Sequence, residues 1–134
     1  GISHNGSHLF GVSIGDRASL WAIENDRHDI IQSDEPIKET VGYSHAQRLL
    51  CGNFHDNSTW LSVNGEKVIP VREKLKQLGY DVRDTPISNC RGLSPDGRYL
   101  YGVYHLKGGS AHGAWMLDLH AENLLGQLTT FLPE

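Results

Sequence analysis

The chain has 134 residues, 38% of them hydrophobic, with a formal net charge of −4 and a sequence pI near 6.0. That length suits one domain or a fragment of a larger protein, and the acidic balance speaks against a nucleic-acid binder. No run reaches membrane-span length, and no signal-like segment opens the chain, although Gly1 is compatible with a cleavage scar.

Read in chain order, "GISHNGSHLFGVS" comes first. Ser3 to Gly6 carries turn chemistry, and Leu9, Phe10 and Gly11 read as a strand. A loop, Ser13–Ser19, leads to a tryptophan strand at Trp21. Turn residues Asn25-Asp26 and a short apolar pair, Ile30-Ile31, follow.

The same order returns at "GYSHAQRLLCGNF". Ser44 to Gly52 repeats the spacing of Ser3 to Gly11, with Leu50, Cys51 and Gly52 at the strand positions. Here Ala46-Gln47 replaces the Asn-Gly of the first copy. The loop Asn53–Thr59 leads to Trp60, then Asn64-Gly65 and the pair Val68-Ile69.

"PVREKLKQLGYDVRDTPISNC" then breaks the β pattern. Val71, Leu75 and Leu78 fall at helical spacing, and Gly79 is a stop signal. The expectation is a short amphipathic helix over 71–78, on a loop outside the repeated sheets, with its charged face in solvent.

The third copy is "SPDGRYLYGVY". Ser94-Pro95-Asp96-Gly97 has the order a type I turn prefers. Leu100, Tyr101 and Gly102 take the strand positions, Tyr104–Gly113 forms the longest loop, and Trp115 marks the next strand. Leu124-Leu125 reads as the last short strand, and Thr129–Phe131 as an extended closing segment.

Three units, about 1–41, 42–91 and 92–134, thus share a turn, a strand, a variable loop, a Trp strand and a last apolar pair. A period of about 40–50 residues with several strands each is the pattern of a propeller blade. The predicted fold class is all-β: three β-propeller-like repeat units with a short helical insertion in the second. The three tryptophans are expected at equivalent, largely buried places.

The turn, strand and Trp pattern resembles the HAF repeats of bacterial extracellular and autotransporter proteins. "LKQLGYDVRDTPISNCRGLSPDGRYLYGV" is the stretch most similar to that family, in which an LGxDV segment commonly precedes a repeat opening S-x-DG. The resemblance implies a bacterial surface or secreted repeat protein, with no catalytic residues to carry over.

Two cysteines, Cys51 and Cys90, are present. Cys51 occupies the place of Phe10 and Tyr101, where a small buried hydrophobe fits. A bridge to Cys90 fits a secreted protein, but its geometry is not set by sequence. Eight histidines are dispersed without metal-site spacing, so no metal or other cofactor is expected.

Loops carry function more often than the strands that position them. The candidate ligand-binding residues are Tyr104, His105, Lys107 and His112 in the last loop, with His55 and Asp56 in the second. The reading is a non-enzymatic surface or secreted β-repeat domain acting in binding or adhesion. The alternatives are a carbohydrate-binding, lectin-like module, or an enzyme or sensor module completed by another segment or chain. The expected partner is a protein or glycan ligand, not nucleic acid. Three units are too few for a comfortable ring, so a homodimer or further repeats would complete it.

Overall fold

A computed structural model describes residues 1–3, 5–13, 15–83, 86–105 and 112–129. Among these residues ten strands form three antiparallel sheets, each with neighbours in sequence order. The first sheet holds β1 (His8–Ser13), β2 (Arg17–Ala22) and β3 (Arg27–Ile31). The second holds β4 (Ile37–Ser44), β5 (Leu49–Phe54), β6 (Thr59–Val63) and β7 (Ile69–Pro70). The third holds β8 (Cys90–Leu93), β9 (Tyr99–His105) and β10 (His112–Asp118). The chain is therefore mainly β, as its alternating apolar residues and turn chemistry predict.

The sheets are layered in sequence order. Every residue of β5 is buried, because the second sheet is covered on both faces. Phe10 and Leu20 of the first sheet meet Leu50, Phe54 and Trp60 of the second in one apolar cluster. The alternate residues Leu49, Cys51 and Leu61 turn the other way and meet Cys90, Leu100 and Trp115 of the third. Period-two alternation puts different partners on the two faces of one strand. The outer faces remain open: Ile30 is 57% exposed on the first sheet, and Tyr101 and Met116 are 41% and 63% exposed on the third.

Local hydrogen bonding recurs along the chain. Ser3 N–H donates to His8 O at 2.9 Å, and Ser94 N–H donates to Tyr99 O at 2.9 Å. His8 N–H donates to Ser3 Oγ, as Tyr99 N–H does to Ser94 Oγ. Asn5 and Asp96 accept from the serine hydroxyls, and Gly6 and Gly97 follow at φ +71° and +73°. Only a residue tolerant of the left-handed region suits that last place. The second turn lacks the glycine and is built differently. Arg48 takes the positive φ, 53°, and Ser44 Oγ donates across to Pro95 O of the third turn.

The helix α1 spans Val71–Gln77, with Val71 and Leu75 buried and Leu78 at its C-terminal cap partly buried. The predicted apolar stripe is thus the inward one. The helix is not a peripheral excursion, however: Val71 and Leu75 belong to the cluster between the second and third sheets. A helix this short is stable only through such tertiary packing.

Three expectations need correction. Leu124-Leu125 does not form a strand but opens a helix, α2 (Leu124–Thr129), with Leu124 and Leu128 buried at i and i+4. Thr129 ends that helix, and the rest of the expected closing segment lies outside the described residues. Trp21 is not equivalent to Trp60 and Trp115. Gly52 and Gly102 pair directly with Trp60 and Trp115, whereas Gly11 pairs with Ser19, and Trp21 pairs with Leu9. Trp60 and Trp115 are buried, while Trp21 is half-buried on the open outer face and donates its Nε1–H to Asp26.

Candidate functional site

Two rims offer functional groups. The β1–β2, β5–β6 and β9–β10 turns leave the sheets at one end, and the serine turns stand at the other. The first rim holds the residues singled out by sequence. His55 Nε2 lies 3.4 Å from Asp16 Oδ2 of the neighbouring sheet's turn, with both side chains 57% exposed. Asp56 is a turn former. Its Oδ1 accepts from the N–H and the hydroxyl of Ser58, which hold its carboxyl below the usual range.

Tyr104 is half-buried in β9, its ring so close over Gly113 of β10 that a Cβ there would push the ring aside. His105 and His112 are opposed in the backbone register of β9 and β10. Lys107 lies outside the described residues. The expected loops are also shorter than predicted: Arg17–Ser19 belong to β2, Asn53 and Phe54 to β5, and Thr59 to β6. The β5–β6 turn does reach the third sheet, since Asn89 N–H donates to Asn57 O and Val103 N–H donates to Asn89 O.

"GVSIG", residues 11–15, also spells a G-x-S-x-G pattern. Its Ser13 ends β1 in a hairpin that returns as β2, with its hydroxyl donating to Arg17 O. A nucleophile elbow instead leads from a strand into a helix. Among the described residues, no group of three or more His, Cys, Asp or Glu is placed to hold a metal ion.

The other rim has a cleft of about 240 Å³ between the first and second sheets. Leu20, Tyr43 and Leu50 contribute apolar lining, and Arg27, Asp29, His45, Arg48 and Asn64 add polar groups. The His8 ring centroid lies 4.8 Å from that of Tyr43 and 5.2 Å from that of His45. Two adjoining serine turns create this cluster, because His8 follows the first and His45 sits within the second.

Electrostatics in the cleft is set by burial and crowding. Desolvation and the neighbouring His45 lower the His8 pKa, against the opposing pull of Asp29. His8 is therefore a neutral imidazole at pH 7, with Nδ1 2.6 Å from Ser7 Oγ. Burial raises the Tyr43 phenol, with Arg48 opposing the shift. Arg48 Nη1 donates to Asn64 Oδ1 at 3.3 Å across the mouth of the β5–β6 pair. Arg27 pairs with Asp29 at 3.4 Å, but both stay substantially exposed.

Such a cleft can hold a polar ring. Its lining offers an apolar surface, flanking amide and hydroxyl groups and two guanidinium cations. The sequence did carry a trace of it, since His4 and His45 share one turn position and His8 opens the first strand. The approach of Arg27 and Asp29 to that turn depends on sheet stacking and leaves no local signal. Comparison with protein-family models, curated proteins and solved structures found no match.

Proposed function

We propose that the chain is a propeller-type β-repeat array from a bacterial surface or secreted protein, acting non-enzymatically in binding or adhesion. The cleft between the first and second sheets supports this reading best. Its ligand is a glycan bearing a carboxylate. The Tyr43–His8–His45 ring cluster provides surface for the apolar face of a sugar ring. Asn64 offers a hydrogen bond to a hydroxyl, and Arg48 and Arg27 offer charge-assisted bonds to the carboxylate.

The array reading is supported by the recurring serine turns and by the paired Gly52–Trp60 and Gly102–Trp115. The bacterial surface or secreted setting follows from the HAF resemblance alone, an analogy that bears on fold more than on function.

A panel of neutral and carboxylate-bearing oligosaccharides, titrated by calorimetry, tests the reading. Binding should be confined to the acidic members and fall about tenfold or more in Arg48→Ala, as loss of a charged hydrogen bond implies. Tyr104→Ala and His55→Ala, on the opposite rim, should bind normally. The reverse pattern would move the site to the β5–β6 and β9–β10 turns.

A further inference from the structure

We propose that Cys51 and Cys90 become joined in an intramolecular disulfide that staples the second sheet to the third. They are the chain's two cysteines, 39 residues apart in sequence. The Sγ atoms lie 3.6 Å apart, one on β5 and one on β8, and both residues are buried in the same apolar cluster. Bond formation requires an approach to about 2.05 Å, within the reach of small side-chain and strand adjustments.

The backbone around the pair is already clamped. Cys90 N–H donates to Asn53 Oδ1 at 2.7 Å, and Asn53 Nδ2 donates back to Cys90 O at 3.1 Å. Asn53 is two residues beyond Cys51 on the same strand and face. This buried amide therefore fixes β8 against β5 at the level of the sulfurs. A chance encounter of two small hydrophobes would not come with such a lock.

The oxidant is a small-molecule disulfide. One cysteine thiolate attacks a sulfur of that disulfide, whose S–S bond breaks and releases one thiolate. The second cysteine thiolate attacks the protein sulfur of the mixed disulfide and expels the other. Two S–H bonds are lost, one protein S–S bond forms, and the oxidant leaves as two thiols.

The timing follows from burial. In the folded chain, desolvation and the neighbouring Cys90 thiol raise the Cys51 pKa well above its ordinary value, so the attacking thiolate is scarce. Neither sulfur is open to an incoming disulfide. Exchange therefore belongs to the folding stage, before β5 and β8 close. Once made, the bond is shielded from soluble reductant.

Refolding from denaturant in an oxidised/reduced glutathione buffer tests this. The product is unfolded again, alkylated and weighed, beside a sample refolded with reductant. The oxidised product should be monomeric in its covalent linkage, carry no alkylatable thiol and yield one cross-linked peptide containing residues 51 and 90. Its Tm should exceed that of the reduced form by about 10 °C, the shift expected for closing a loop of this size in a domain of this length. Folded reduced protein in the same buffer should keep both thiols. Cys51→Ala and Cys90→Ala should each give no cross-linked peptide and hold the remaining cysteine as a thiol or a single glutathione adduct, because the resolving cysteine is gone. Two alkylatable thiols, two glutathione adducts or interchain dimers in the refolded wild type would overturn the staple. Rapid oxidation of the folded protein would overturn the proposed order of events.

Discussion

Gly52 lies directly beneath the ring of Trp60: a Cβ at position 52 would stand 2.6 Å from a ring carbon and would also strike the carbonyl of Glu39. Gly102 bears the same relation to Trp115 and to the carbonyl of Asn89. At each glycine an indole and a backbone carbonyl together occupy the space a Cβ would take. Gly11, at the matching sequence position, has nothing among the described residues within 4 Å of its would-be Cβ.

The contrast makes a direct test. Gly52→Ala and Gly102→Ala should each destabilise by about 1–3 kcal/mol or more, because a backbone carbonyl cannot yield as a flexible side chain can. Gly11→Ala should be neutral or stabilise by up to about 1 kcal/mol, since it meets no atom and reduces unfolded-chain freedom. Urea denaturation of the three variants measures this. Equal losses at all three positions would remove the distinction.

The two buried tryptophans differ in their polar edges. Trp115 Nε1–H donates to Ser88 O at 2.7 Å, whereas buried Trp60 Nε1 finds no hydrogen-bond partner among the described residues. Replacement by Phe removes a made bond in one case and an unpaired donor in the other. Trp115→Phe should therefore cost about 1–2 kcal/mol more than Trp60→Phe, the difference between losing a net hydrogen bond and relieving an unmet one. Paired thermal melts would show it, and a larger loss at Trp60 would reverse the assignment.

Short-range chemistry made much of the fold legible in the sequence. The serine turns, the Asn64-Gly65 turn and the stripe Val71–Leu75 act over a few residues, so their patterns are readable. Trp21 misled because the length of chain between a glycine and the following tryptophan does not show which residue of the partner strand ends up opposite it. A two-residue shift in register moved it away from the places held by Trp60 and Trp115. Leu124-Leu125 misled because two adjacent leucines fit either period. The cleft was least legible. Its groups come from both stacked sheets, and only that stacking brings Arg27 and Asp29 near the turn that holds His45 and Arg48.

His8 should give stability a pH dependence. Its pKa is lowered on folding, chiefly by desolvation and then by His45, from an ordinary value of 6.5. As pH falls through 6.5, the unfolded chain takes up this proton before the folded one does. The fold should therefore lose stability below that pH and level off once the folded-state imidazole is also charged. The groups facing it are His45, Asp29, Tyr43 and Ser7. His8→Gln should flatten the decline between about pH 7 and 5 relative to the wild type. The exposed turn carboxylate of Asp56 acts in a separate window, below its ordinary 3.8, because its folded-state pKa is lowered by Ser58. Parallel melts of wild type and variant across this range decide the matter; identical slopes would show that His8 is not responsible.

The open faces of the first and third sheets give the last prediction. Along the stack, the face carrying Phe10 and Leu20 is covered by the second sheet, and the face carrying Cys51 and Leu61 is covered by the third. The corresponding face of the third sheet carries Tyr101 and Met116, register partners across β9 and β10, and both are exposed. At the other end, the outer face of the first sheet presents half-buried Leu9 and Trp21 with exposed Ile30. If sheets stack by one rule, the last open face fits the first open face of another unit, supplied by a second copy or by further repeats. An apolar face of this kind favours association. The chain should self-associate at micromolar concentration in light scattering. Met116→Lys and Ile30→Lys, each burying a charge at one side of the contact, should both shift it toward monomer and leave Tm unchanged at concentrations low enough for the wild type to be monomeric, because neither side chain is part of the core. A wild-type chain that stays a stable monomer at those concentrations would count against stacking through these faces.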